Sequence, residues 1–108
     1  MSQGQNEKPV KLDLNCEVFQ QNLLGLEKSD AGRVLNTLRK LRQMTWSQVY
    51  QDQGLKWEKI DSVKPPSGID AIYSLRITQA RRATAYRKGD FMRFLTLERD
   101  HDATYGKK

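Results

Sequence analysis

Apolar and polar residues alternate through residues 10–14, "VKLDL", with the period of a half-buried strand. The period then lengthens. Asn15 stands where a helix cap belongs, Glu17 falls in the first turn, and Val18, Phe19, Leu23 and Leu26 recur at helical spacing. That pattern predicts a short amphipathic helix ending near Lys28. A second start follows at Ser29 or Asp30, with Ala31, Val34, Leu35, Leu38 and Leu41 on one stripe and Arg33, Arg39, Lys40 and Arg42 opposite. So short a link predicts two antiparallel helices, with the four cations forming a solvated face. A brief further helical stretch is expected in "TWSQVYQDQG", capped by Thr45 and stopped by Gly54. Trp46, Tyr50 and Trp57 read as packing residues, and Cys16 as a small buried one.

The connector "LKWEKIDSVKPPSGIDA" contains Pro65, Pro66 and Gly68, which predict a surface loop around residues 62–70, with part of "LKWEKI" suited to an edge strand. Beyond it the period is two. In "IYSLRIT", Tyr73, Leu75 and Ile77 alternate with Ser74, Arg76 and Thr78. "RRATAYR" follows a short turn at Gln79 and Ala80, and "KGD" at Lys88 to Asp90 is a hairpin signal before "FMRFLTLER". The expected architecture is α+β: two N-terminal helices packed on a small, mainly antiparallel sheet of about four strands. Residues 1–9, polar and containing Gly4 and Pro9, are expected to be a flexible tail, with residues 10–108 forming a single domain.

Composition narrows the class. The chain has 108 residues, one domain's worth, and its 37% hydrophobic and 30% charged residues fit a folded protein rather than a disordered one. No apolar run is long enough to span a bilayer, and "MSQGQNEKPVK" lacks the hydrophobic stretch of a signal peptide, which points to the cytoplasm. One cysteine and one histidine offer neither an internal disulfide nor a zinc cluster, so no metal or other cofactor is expected. The charge is uneven. Residues 1–70 carry 10 Lys and Arg against 9 Asp and Glu, whereas residues 71–108 carry 9 against 4. A positive field concentrated in one segment suits a polyanion.

That segment also holds a distinctive set of side chains. Arg82, Thr84 and Tyr86 share one parity on the second strand of the meander, and Arg93, Leu95, Leu97 and Arg99 share one on the third. The chain then leaves the sheet in "DHDATYGKK", placing His101, Tyr105, Lys107 and Lys108 where they can fold over it. Arginine binds phosphate and stabilises developing charge, histidine exchanges protons near neutral pH, and tyrosine stacks on bases.

The order of these elements resembles the RelE-type toxins of bacterial toxin-antitoxin systems, in the RelE/ParE superfamily. The resemblance runs over residues 10–105 and is most specific in "YSLRITQARRATAY" and "LERDHDATY". It implies a metal-independent ribonuclease that enters the ribosomal A site and cuts messenger RNA, using the substrate's 2'-hydroxyl to attack the adjacent phosphate. By this resemblance Arg82 holds the scissile phosphate, Arg76 and Arg99 add cationic contacts, and His101 is the general acid or base, tuned by Asp100 or Asp102. Tyr105 stacks on or orients a nucleotide, while Arg81, Arg87, Lys107 and Lys108 are candidate RNA contacts. Glu58 is a further base candidate, although the insert that follows it disturbs the alignment. The implied partners are a cognate antitoxin, the ribosome and mRNA. Two other readings share the fold: a ParE-like poison of DNA gyrase, and a non-catalytic RNA-binding relative.

Overall fold

The computed structural model describes residues 5–99. Strand β1 (Lys11–Asp13) leads into helices α1 (Glu17–Leu24), α2 (Lys28–Leu41) and α3 (Trp46–Gln51); strands β2 (Glu58–Lys59), β3 (Tyr73–Arg76), β4 (Arg81–Lys88) and β5 (Phe91–Arg99) follow. Within the segment expected to be a flexible tail, Gln5–Glu7 forms a 3-10 turn and Pro9 bridges to Thr45. The strands make one five-stranded sheet in the order β1-β5-β4-β3-β2. β1 runs parallel to β5, and the remaining pairs are antiparallel. The expected count of about four strands was one short, because the two-residue β2 adds an edge to β3. Among the described residues no helix is long and apolar enough to cross a membrane.

Helix boundaries differ from the expected ones for local reasons. Asn15 is not the first cap: its N–H donates to Asp13 Oδ1 (2.9 Å), and Cys16 takes the cap position without a capping side chain. α1 stops at Leu24, short of Lys28, because Gly25, a poor helix former, closes it by donating its N–H to the Gln21 carbonyl. α2 starts from Glu27, so Asp30 lies inside its first turn, where a carboxylate favours the positive end of the helix. α3 has the expected cap. Thr45 Oγ1 accepts from Gln48 N (3.2 Å) while Thr45 N donates to Gln48 Oε1 (2.9 Å), a reciprocal capping box. Thr45→Ala should lower the unfolding free energy by about 1 kcal/mol, read from a urea transition at constant slope.

The helices cover one face of the sheet. Phe19, Val34, Leu38, Leu41, Trp46 and Val49 pack against Leu75, Ala83, Ala85, Met92, Phe94 and Leu97, all buried. Ala83 and Ala85, with no bulk beyond Cβ, let the helices approach β4 closely, and Phe19 meets Phe94 with ring centroids 5.1 Å apart. Thr37 Oγ1 donates to the Ile77 carbonyl (2.7 Å), tying α2 to the end of β3. The β4–β5 turn uses Gly89 at φ 63°, a backbone region that side chains rarely adopt.

One irregularity sets the other face. The register passes from Thr84↔Thr96 to Ala85↔Phe94, leaving Leu95 as the extra residue of a β-bulge. Simple alternation grouped Arg93, Leu95, Leu97 and Arg99. The bulge separates them: Arg93 stands opposite Tyr86, and the buried Leu97 stands opposite Ala83.

Candidate active site

The face of the sheet turned away from the helices carries the side chains of interest, and pairing register decides which ones meet. Arg76 on β3, Arg82 on β4 and Glu98 on β5 form one cross-strand row. The next row is Glu58, Ser74, Thr84 and Thr96. Tyr86, Arg93 and Asp13 form a third, near the β4–β5 turn. A single lattice thus holds two arginines side by side and a carboxylate on the strand beyond.

Hydroxyl contacts lace these rows together. Thr84 and Thr96 share a 2.7 Å hydrogen bond, and Thr96 Oγ1 donates to Glu98 Oε2 (2.9 Å). Arg82 is half-buried, and its Nε, like those of Arg81 and Arg93, is buried with no hydrogen-bond partner among the described residues. A buried donor without a partner is costly, and a phosphate oxygen satisfies such a group well. The 61–70 loop overhangs this face, forming with Thr84, Thr96 and Glu98 a groove of about 320 Å³ that Val63 and Pro66 help to line. The insert after Glu58 therefore borders the candidate site.

Not every residue named from the sequence joins it. Arg76 and Arg82 are neighbours, and Glu58 lies one row away. Arg99 ends β5 opposite Arg81 and is exposed. Arg81 has the parity of Ala83, on the helix side, where its guanidinium meets Asp30 Oδ2 at 3.3 Å. Arg87, also on that side, lies over the Trp46 ring at 4.4 Å and donates to Asn6 Oδ1 and Tyr50 Oη at 2.7 Å. His101, Tyr105, Lys107 and Lys108 lie outside the described residues. Glu98 was missed, since its place opposite Arg82 depends on the register across the bulge. Among the described residues no group of three or more His, Cys, Asp and Glu side chains could hold a metal ion.

No model of a known protein family matches the sequence, and no curated protein matches it. Solved structures do. A chain of the archaeal RelE–RelB complex from Pyrococcus horikoshii matches with a TM-score of 0.56 and 16% identity, over 85% of this chain and 96% of that one. A copper-bound mutant toxin from Helicobacter pylori matches with a TM-score of 0.49 and 20% identity, over 86% of this chain and 97% of that one. The match to the Pyrococcus chain, over 85% of this one, gives this chain the fold of the RelE-type toxins.

Proposed function

We propose that this chain is the toxin of a toxin-antitoxin pair and acts in the cytoplasm as a ribosome-dependent, metal-independent endoribonuclease. One observation carries the reading: on a RelE-type fold, the open face sets Arg76 and Arg82 side by side with Glu98 beyond them. Two adjacent guanidinium forks are a receptor for phosphate, and they stabilise the charge that builds on a pentacoordinate phosphorane.

In the proposed reaction the substrate's 2'-hydroxyl attacks the adjacent phosphorus. A base takes the hydroxyl proton, the 5'-oxygen leaves with a proton from an acid, and a 2',3'-cyclic phosphate remains. Arg82 holds the scissile phosphate, with Arg76 beside it, and Arg99 adds positive charge from the end of β5. His101 exchanges the proton, Tyr105 holds a base by stacking, and Lys107 and Lys108 add RNA contacts, whereas Arg81 and Arg87 are engaged on the helix side. Glu98 joins Glu58 as a carboxylate near the reacting phosphate. The neighbour from Pyrococcus horikoshii was solved as a RelE–RelB complex, and we assign this chain a cognate antitoxin that masks the open face until it is removed.

The test is primer extension on a defined messenger in a purified translation system. Wild type should produce new ends at A-site codons, and His101→Ala should reduce them by about 10²-fold or more. A messenger left uncut while translation continues would overturn the nuclease and turn attention to gyrase, through a supercoiling assay.

A further inference from the structure

The open face does not end at the arginine row. Along β4, Arg82, Thr84, Tyr86 and Lys88 follow one another on the same side, so Lys88 lies about 20 Å from Arg82, at roughly 3.3 Å per residue. Beside Lys88 stands Phe91, whose side chain is 46% exposed and opposite in parity to the fully buried Met92. Lys11 on β1 pairs in register with Phe91 and brings its Nζ to 5.7 Å from the ring centroid. With Tyr86, Arg93 and Asp13, Lys88 and Phe91 border an open groove of about 310 Å³, and Lys11 lies at its edge beside Phe91.

The charge of the groove is sorted. Arg93 is held by Asp13 Oδ2 (3.3 Å) and the Asn15 carbonyl (3.1 Å), which neutralises the one carboxylate on the lining. Lys11 and Lys88 are exposed and have no ion-pair partner among the described residues. An exposed ring between two uncompensated ammonium groups has the chemistry of a single-stranded nucleic-acid contact: the ring takes a base face and the lysines take phosphates on either side.

We propose that the β4–β5 turn end of the open face is a second RNA contact, remote from the reacting phosphate, where Phe91 stacks on a base and Lys11 and Lys88 bind the flanking phosphates. This deepens the nuclease reading and rests on it. The strip from Arg82 to Lys88 then aligns a short single-stranded segment, with cleavage at one end and a sequence-tolerant grip at the other. Such a grip resists sliding of the messenger and leaves base choice to the other end.

The full-length chain is titrated into a fluorescein-labelled 2'-O-methyl oligoribonucleotide, which lacks the attacking hydroxyl and stays intact, and anisotropy is followed at several salt concentrations. Phe91→Ala should weaken binding about tenfold with the salt slope unchanged, and Phe91→Tyr should retain it. The double variant Lys11→Gln/Lys88→Gln should lower the slope of log affinity against log salt by about 1.4. All the altered side chains are exposed, and a thermal melt of each variant reports that the fold is kept. Wild-type affinity in both Phe91→Ala and the lysine pair overturns the proposal, as does an absence of binding by wild type. Equal dependence on these residues for a polyglutamate peptide overturns the RNA assignment in favour of an acidic protein partner. Primer extension separates the two levels: unaltered binding by the variants, with wild type still cutting messenger, removes the second contact and leaves the nuclease standing. The expected binding pattern with no cut messenger upholds the contact and removes the nuclease.

Discussion

If the proposed nuclease reading holds, Arg82→Ala should lower messenger cleavage by about 10²–10³-fold, the loss expected when a positioned donor to a charged transition state is removed. The expectation rests on the geometry of β4. Arg82 stands between Arg76 and Glu98 in the cross-strand row, half-buried on the open face, with no ion pair among the described residues. The ladder bonds that hold β4 belong to the backbone, so truncating the side chain leaves the sheet intact, and the unfolding transition should scarcely move. Arg82→Lys is the sharper variant: it keeps the charge and loses the planar fork, so recovery of only a minor part of the activity identifies two-point phosphate binding. Arg81→Ala is the contrast. Its guanidinium is held by Asp30 on the helix side, so its loss should reach stability, by about 0.5 kcal/mol, before it reaches cleavage. Equal loss of cleavage from both alanines would remove the special place of Arg82.

Trp46→Ala should destabilise the fold by about 3–5 kcal/mol, a large part of the roughly 5–15 kcal/mol that holds a typical domain together. Trp46 is fully buried and makes an edge contact with Trp57 at 5.4 Å, and Trp57 in turn stacks on Tyr73 at 4.6 Å. Its indole N–H donates to the Asp90 carbonyl at 3.0 Å, in the β4–β5 turn, and that carbonyl also accepts from Lys11 N at 2.9 Å. The Arg87 guanidinium covers the other side of the ring. One side chain therefore joins α3, the lead into β2, β3, the hairpin turn and the start of β1. Trp46→Phe keeps most of the ring and leaves the Asp90 carbonyl with Lys11, so it should cost about 1–2 kcal/mol. Urea unfolding of the two variants measures both. A loss below about 1 kcal/mol for the alanine would show that the cluster is not a shared support. The hairpin end also carries Lys11 and Phe91, so the RNA binding proposed there should weaken with Trp46→Ala near its transition and not with Trp46→Phe.

Much of the molecule was readable because its determinants are local. Alternation in "VKLDL" and "YSLRIT", the Thr45 cap, the breakers at Pro65, Pro66 and Gly68, and the "KGD" turn are each set by a few neighbouring residues. Boundaries failed where two local choices competed. Asn15 was an apt cap, yet Asp13 claimed its N–H, and Gly25 closed α1 before its apolar stripe ran out. β2 was legible only as a candidate, since two residues become a strand by pairing with β3 and have no preference strong enough to do so alone.

The site divides along the same line. The sequence by itself determined that the last third is basic, that it forms successive strands, and that Arg76 and Arg82 lie on strands joined by a short turn. These follow from composition and period. Only the tertiary structure decided which arginines share a face. The Leu95 bulge re-phases β5, so that Arg93 and Glu98 come to the open face while Leu97 turns to the core. Arg81 and Arg87, opposite in parity to Arg82 on β4, turn to the side the helices cover, where Asp30 and the Trp46 ring hold them. Side chains on a strand alternate with a period of two, so a single inserted residue reverses every assignment beyond it. The hydrogen bonds that place such an insertion run between strands, and the composition of neither strand reveals them.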